Sequence, residues 1–254
     1  MNYEDLINTA VDVGYLLISN GGEIYRAEES MLRIFRAYGV DTGEVFAIPT
    51  FINATVSTPQ GRPVTKLRRI AARETNMDRV EQANDLCRRI CRTTPDFACI
   101  RREIARIEKR PSFPFSVQTA AFALVAFSFT LFYGGNWADA LIALVCGAVT
   151  KVVFHVLRKF RVNTFFVNIL ASFAAALLAL WAAHLWAFLS YDKIIIGALM
   201  NLVPGIAITD FMRDIIAGDL IAGILRLTES TLVAAAIAIG AAFALTATRM
   251  LWGV

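Results

Sequence analysis

Apolar residues near the start of the chain recur at the spacing of an amphipathic helix. This spacing predicts two helices, over residues 3–19 and 23–38, separated by Asn20-Gly21-Gly22. Glycine readily takes the left-handed conformation that ends a helix, so these residues form a natural stop. The helical spacing returns over residues 78–91 and 96–109, which predicts two further helices.

Between these helical pairs the pattern changes to that of short strands. Three segments are rich in Val, Ile, Phe and Thr, and they are Glu44–Ile48, Phe51–Ser57 and Val64–Arg69. The residues from Pro59 to Pro63 supply a turn between the second and the third strand. Residues 1–110 are therefore predicted to form a small α+β domain with the element order ααβββαα.

After Arg110 the charged residues almost disappear. The first 110 residues carry 32 of the 46 charged side chains, and the remaining 144 residues carry 14. The stretches 111–138 and 162–191 contain none. An apolar run of about 18 residues or more can cross a hydrocarbon core about 30 Å thick. The sequence therefore predicts a membrane protein, with a transmembrane helical domain over residues 111–254.

We expect this second domain to be an all-α bundle of about five transmembrane helices. Lys109 and Arg110 precede the first helix, and Arg158, Lys159 and Arg161 follow the second. Since lysine and arginine accumulate on the cytoplasmic side of a membrane, the N-terminal domain is expected to be cytoplasmic. The approximate bounds of the five helices are 114–133, 138–157, 163–189, 193–209 and 229–249.

An odd number of membrane helices places a homologous second half in the inverted orientation. Inverted halves with a substrate site at their interface are a common plan of secondary transporters. The chain contains no second copy of its membrane half. We therefore expect such a half to come from another polypeptide or from another protomer.

The fourth predicted helix contains the strongest local signal, the segment Asn201-Leu202-Val203-Pro204-Gly205. Proline removes a backbone donor and glycine loosens the helix, so backbone groups lose their partners within the helix. In a bilayer such groups are tolerated where they line a cavity. The segment is therefore either a break that faces a substrate or ion, or a plain proline kink.

Charged residues of both signs follow this segment within twenty positions. Ionisable residues inside or beside a membrane are costly and are therefore functional candidates, although an ordinary connecting helix would carry them too. Asp210, Arg213 and Asp214 share one helical face, so Arg213 could pair with either acid. The candidate substrate or ion pathway comprises Asn201, Pro204, Gly205, Thr209, Asp210, Arg213, Asp214, Asp219, Arg226 and Glu229.

Other classes of function lack their usual sequence patterns. The first 110 residues contain no histidine, no nucleophile and base pattern and no phosphate-binding glycine loop, so an enzyme is not expected. The four cysteines follow no disulfide or zinc spacing, and we expect neither metal nor cofactor. The net charge of +4 does not indicate nucleic acid binding, because much of the excess lies beside apolar segments. We expect the arginine-rich residues 88–110 to lie near membrane lipids.

Two stretches of the chain resemble the threonine/serine exporter (ThrE-like) family, and in particular its YjjP-like split form. The second stretch runs from Val203 through the Arg213-Asp214 pair to Arg226. The first combines residues 49–57 with the motif that the resemblance assigns to the N-terminal domain, which is Gly21, Gly22, Glu23, Arg26 and Glu28.

This resemblance implies a bacterial inner-membrane exporter of small polar metabolites, above all of threonine and serine. It also implies a separate small membrane subunit as partner and an oligomeric assembly. Export of C4-dicarboxylates such as succinate is an alternative substrate class, and a non-transporting regulatory or scaffold subunit is an alternative role. Phe211-Met212 stands where the family often has small or polar residues, which leaves the exact substrate open.

The residues and the resemblance suggest one mechanism. A broken fourth helix would present free amides to a substrate carboxylate. Arg213 would supply a cation or hold Asp210 and Asp214 in place. An acidic residue of the pathway would titrate and couple export to protons, because no ATP-binding motif is present. A carrier and a channel both fit this arrangement.

Overall fold

The computed structural model describes residues 2–160 and 162–252, so Arg161 lies outside the described residues. The chain forms two compact units. The first unit comprises Met1–Pro111 and Ala207–Leu227. The second unit comprises Ser112–Ile206 and Thr228–Val254. Residues that follow the predicted fourth membrane helix therefore belong to the same unit as the N-terminal α+β residues.

The described residues are mostly helical and include one small sheet. The helices are α1 (Tyr3–Ser19), α2 (Ile24–Ala37), α3 (Met77–Thr93), α4 (Phe97–Glu108), α5 (Phe115–Phe132), α6 (Trp137–Lys159), α7 (Thr164–Leu185), α8 (Tyr191–Leu199), α9 (Gly205–Ala217) and α10 (Leu220–Trp252). The strands are β1 (Glu44–Ile48), β2 (Phe51–Ser57) and β3 (Pro63–Arg69), which pair antiparallel in the order β1-β2-β3. The predicted order ααβββαα is thus the order observed in residues 3–108.

The helix α1 lies in the middle of the hydrophobic core of the first unit. The side chain of Asn2 caps its first turn by accepting a hydrogen bond from the amide of Glu4 at 3.1 Å. The helix contacts α2, α3, α4, β2 and β3, and Leu6, Ala10 and Leu17 on it are fully or almost fully buried. The sequence pattern predicts an amphipathic helix here, but in the structure α1 is buried on nearly every side.

The sheet packs one of its faces against this core. Along β2 the side chains of Ile52, Ala54 and Val56 are fully buried, as the twofold period of a strand requires. On the opposite face Asn53 lies between Phe46 of β1 and Leu67 of β3 in the strand register. The sheet is therefore one-sided, with its core face toward the helices of the first unit.

Four helices among the described residues are long and apolar enough to cross a membrane, and they are α5, α6, α7 and α10. The segment 193–209, which we predicted as the fourth of five membrane helices, is not one continuous helix. Helix α8 ends at Leu199 and α9 begins at Gly205. Proline at 204 has no amide hydrogen, and the side chain of Asn201 donates to the carbonyl oxygen of Phe122 at 3.0 Å. Five membrane crossings remain a prediction.

Small residues dominate the helix packing of the second unit. Ala171, Ala175 and Ala179 recur every fourth residue along α7 and are fully buried. Small side chains let helix backbones approach closely, which is how helices associate where the surroundings are as apolar as the helices. This packing agrees with the apolar surface of the same unit and with the length and composition of its membrane-spanning candidates.

A buried ion-pair network in the first unit

Arg226, at the start of α10, forms the centre of a charged network in the first unit. Its Nη1 lies 2.8 Å from Oδ2 of Asp210, and its Nε lies 3.2 Å from Oδ2 of Asp214. Only 8% of the Arg226 side chain is exposed, and the Asp214 side chain is not exposed at all. Two carboxylates on one face of α9 thus share one buried guanidinium.

The loop between α1 and α2 supplies a further partner of this guanidinium. Nη2 of Arg226 donates to the carbonyl oxygen of Gly22 at 2.9 Å. The loop takes its shape from two glycines: Gly21 has a φ of +91°, and the amide of Gly22 donates to the carbonyl of Leu17 at 2.8 Å. A Cβ atom on Gly22 would lie 2.8 Å from that same Leu17 oxygen. The Gly-Gly pair is therefore required by the loop that presents the carbonyl to Arg226.

Glu23 extends the network to two more arginines. Its carboxylate pairs with Nε of Arg26 at 2.6 Å and with Nη1 of Arg213. We expected Arg213 to pair with Asp210 or Asp214, but its ion pair is with Glu23, and Arg226 takes both aspartates. Half of the Arg213 side chain is exposed, whereas the Glu23 side chain is largely buried. Arg213 therefore covers the outer side of the network.

The electrostatic balance of the network depends on the protonation of the two aspartates. Burial raises the pKa of Asp210 and of Asp214, and the Arg226 guanidinium acts in the opposite direction on both. Oδ1 of Asp214 accepts no hydrogen bond from the described residues. If both carboxylates are ionised, two negative charges share the buried guanidinium of Arg226, and the half-exposed Arg213 adds a positive charge that solvent partly screens. Protonation of either aspartate would therefore change the charge balance around Arg226.

Glu28 connects the same motif to the sheet. Its Oε1 accepts a hydrogen bond from the amide of Ala47 in β1 at 2.6 Å. Burial raises the pKa of Glu28 from 4.5 to about 7, and the negative charge of Asp219 adds to this shift. Asp219 follows Gly218, whose φ of +96° ends α9. Glu28 is therefore a motif residue whose charge changes near neutral pH.

The structure divides the residues of the predicted pathway between the two units. Thr209, Asp210, Arg213, Asp214, Asp219 and Arg226 belong to the first unit, together with Gly21, Gly22, Glu23, Arg26 and Glu28. Asn201, Pro204, Gly205 and Glu229 belong to the second unit. That all of them form one pathway therefore remains a prediction.

One buried charge in the second unit, that of Asp139, is not among the predicted site residues. Oδ2 of Asp139 accepts from the amide of Asn136 at 2.9 Å, and its Oδ1 accepts from the amide of Ser190 at 2.8 Å. The spacing of Asn136 and Asp139 is that of a capping box, which is a signal the sequence does carry. Backbone donors satisfy this carboxylate, so its position reflects the fold of the second unit.

A family model described as "Putative threonine/serine exporter" matches residues 8–248 of the chain. The chain belongs to the threonine/serine exporter family. Membership of this family agrees with the four long apolar helices of the described residues. Both stretches that resemble the family contribute residues to the network around Arg226, so the network joins parts of the chain that are about 200 residues apart.

Two relatives in this family align with most of the chain. A "Probable threonine/serine exporter" of Mycobacterium tuberculosis is 22% identical over 237 residues, which cover 92% of this chain and 45% of the relative. A "Threonine/serine exporter" of Corynebacterium glutamicum is 24% identical over 246 residues, which cover 92% of this chain and 50% of the relative. The chain thus spans about half the length of the curated relatives it matches. No solved structure matches the chain.

Proposed function

We propose that this chain is a subunit of a secondary exporter of threonine/serine-type amino acids. The observation that carries the proposal is the family match over residues 8–248, which covers α5, α6 and α7 in full and most of α10. Both relatives are named as threonine/serine exporters. The exporter would lie in a bacterial inner membrane, with the α+β part of the first unit on the cytoplasmic side, as the distribution of lysine and arginine suggests.

The proposal includes a second, small membrane subunit as partner and an oligomeric assembly. Its support is the resemblance to the split form of the family, whose members share the membrane part between two polypeptides. An interface between inverted halves would then hold the substrate.

The network around Arg226 would couple export to protons. A proton on Asp214 or Asp210 leaves Arg226 with one charged partner, and loss of that proton returns a second negative charge to a buried site. Either change alters how firmly α9 and the start of α10 are held to the loop at Gly22. The protonation state would therefore control the position of the segment that leads into α10.

The break between α8 and α9 would contribute the contacts to the substrate in the second unit. Residues 201–204 are not helical, and Asn201 holds the end of α8 through its hydrogen bonds to Phe122 and Ala198. A zwitterionic amino acid needs donors for its carboxylate and acceptors for its ammonium group. Backbone amides and carbonyls at a break in a helix can supply both.

Efflux from preloaded cells tests this function. Cells that express the chain with and without a candidate small membrane subunit are loaded with labelled threonine, serine or succinate, and the loss of label is followed over time. We expect efflux of threonine and serine when both subunits are present, and its collapse when a protonophore removes the proton gradient. Efflux of succinate alone would assign C4-dicarboxylates as the substrate class in place of amino acids. No efflux of any of the three compounds would overturn the proposal.

Variants of the network connect the function to the site. Asp214→Asn, which removes a titrating group, should make export insensitive to the proton gradient at an unchanged membrane level of the protein. Arg249→Gln, an exposed arginine later in α10, serves as the control and should export normally. Normal, gradient-dependent export by Asp214→Asn would exclude Asp214 as the coupling residue.

A further inference from the structure

A cavity of about 720 Å³ opens between α3 and α4 in the first unit. Its lining contains six cationic side chains and two acidic ones, a formal excess of four positive charges. Its volume lies in the range of about 300–1,000 Å³ that is usual for small-molecule sites. The cations are Arg88, Arg89, Arg92, Arg106, Lys109 and Arg110.

Acidic neighbours hold four of these cations in place. Glu103 on α4 lies 3.1 Å from Nη2 of Arg89 and 3.8 Å from Nη1 of Arg106, so it links the two helices. Asp85 pairs with Arg88, and Asp78 lies 2.5 Å from Nε of Arg110. These pairs leave the guanidinium groups largely exposed, with 60% of the Arg89 side chain and 81% of the Arg106 side chain accessible.

Arg92 and Lys109 complete the lining without an acidic partner. Within residues 2–160 and 162–252 neither of them forms an ion pair. Arg92 lies one turn beyond Arg88 and Arg89 on the same helix, and Lys109 follows the last residue of α4. The cavity thus combines cations that are fixed by ion pairs with two that are available to a ligand.

We propose that this cavity binds a phosphate-bearing anion. Guanidinium groups match the oxygens of a phosphate with two parallel hydrogen bonds, and a fixed guanidinium loses less side-chain entropy on binding. A single carboxylate would neutralise only one of the excess positive charges, whereas a phosphorylated ligand carries more charge and more acceptors. The side-chain amide of Gln82 at the rim adds a neutral donor.

Two sources can supply this chemistry. Pro111 also lines the cavity, and only Ser112, Phe113 and Pro114 separate it from the apolar helix α5. A phospholipid headgroup and a soluble phosphate compound are therefore both candidates for the ligand. Binding of either would give the first unit a sensor that is independent of the network around Arg226.

The test uses the full chain, purified in a neutral detergent. Thermal unfolding is followed during titration with inorganic pyrophosphate and, separately, with phosphatidylglycerol in mixed micelles, each against sodium chloride at equal ionic strength. We expect a saturable rise of the melting temperature with at least one probe. A rise with pyrophosphate alone assigns a soluble ligand, and a rise with the lipid, alone or in competition with pyrophosphate, assigns a headgroup.

Matched variants decide whether the cavity is responsible. Arg92→Gln combined with Lys109→Gln removes two cations without breaking an ion pair, and should weaken binding of the effective probe at least tenfold. Arg36→Gln combined with Arg62→Gln removes two exposed cations elsewhere in the first unit and should change binding less than twofold. No saturable shift with either probe would overturn the proposal, and so would equal losses in the two double variants.

Discussion

Arg226 donates a hydrogen bond to the carbonyl oxygen of Gly22 at 2.9 Å, although 204 residues separate them along the chain. The same guanidinium holds Asp210 and Asp214, so one side chain connects the loop between α1 and α2 with two consecutive helices. Hydrogen bonds to a charged group in a buried site are among the stronger polar interactions of a fold. The stability of the first unit should therefore depend on the shape of this guanidinium as well as on its charge.

Arg226→Lys keeps the charge but loses the planar fork that reaches three partners. Breaking a buried pair costs about 3–5 kcal/mol, and lysine restores part of it, so we expect a loss of about 2–3 kcal/mol in unfolding free energy. The rate of export should also fall in this variant. Arg249→Lys in the same helix is exposed and should change neither quantity. Thermal unfolding of the purified chain and the efflux assay measure the two effects, and equal behaviour of both variants would refute the role of Arg226.

Gly22→Ala should destabilise the chain, because a Cβ atom there would lie 2.8 Å from the backbone oxygen of Leu17. The loop must shift to relieve this overlap, and the shift moves the carbonyl that accepts from Arg226. We expect a loss of about 1–3 kcal/mol. Gly205→Ala is the control, because an added Cβ atom at Gly205 meets nothing within 4 Å. Its melting temperature should equal that of the parent chain.

The ion pair between Arg213 and Glu23 can be measured by a double-mutant cycle. Arg213→Gln and Glu23→Gln are made singly and together, and the melting temperatures of the four chains give the coupling. Because half of the Arg213 side chain is exposed, solvent screens the pair, and we expect a coupling of about 1 kcal/mol or less. The complementary cycle of Arg213 with Asp210 should give no coupling free energy. Coupling to Asp210 in place of Glu23 would contradict the arrangement of the network.

The sequence predicts the elements of the N-terminal part well, because local signals define them. Asn20, Gly21 and Gly22 end α1 by a backbone conformation that glycine favours, and the alternation along β2 follows from one buried face. The turn from Pro59 to Pro63 separates β2 from β3 for the same kind of local reason. Such signals act over a few residues, so the pattern of one segment suffices to read them.

The composition of the network could not be read in the same way. Asp210, Arg213 and Asp214 lie on one face of α9 by spacing alone, which suggested pairs within the helix. Both aspartates form their ion pairs with Arg226 from the next helix. Arg213 pairs with Glu23, which lies near the other end of the chain. Periodicity contains no information on such long-range partners. Likewise, the charges of residues 210–226 mark the segment as unusual but do not assign it to the first unit.

Glu28 should make the stability of the chain depend on pH between about 4.5 and 7. Burial raises its pKa to about 7 in the folded protein, so the folded state binds more protons than the unfolded state in this range. The stabilisation from protonated Glu28 is complete below pH 4.5 and is lost as the pH rises through 7. Glu28→Gln stays neutral and should match the parent chain at pH 4.5, yet exceed it at pH 8 by about 3 kcal/mol or less.

Glu29→Gln is the matched control for this pH dependence. Glu29 is the next residue of α2, its side chain is 54% exposed, and it pairs with Arg33 at the surface. Its substitution should leave the slope of melting temperature against pH unchanged. Asp219→Asn should shift the midpoint of the Glu28 transition to lower pH, because the negative charge of Asp219 contributes to the raised pKa of Glu28. A parent chain whose melting temperature does not fall relative to Glu28→Gln between pH 5 and 8 would rule out this assignment.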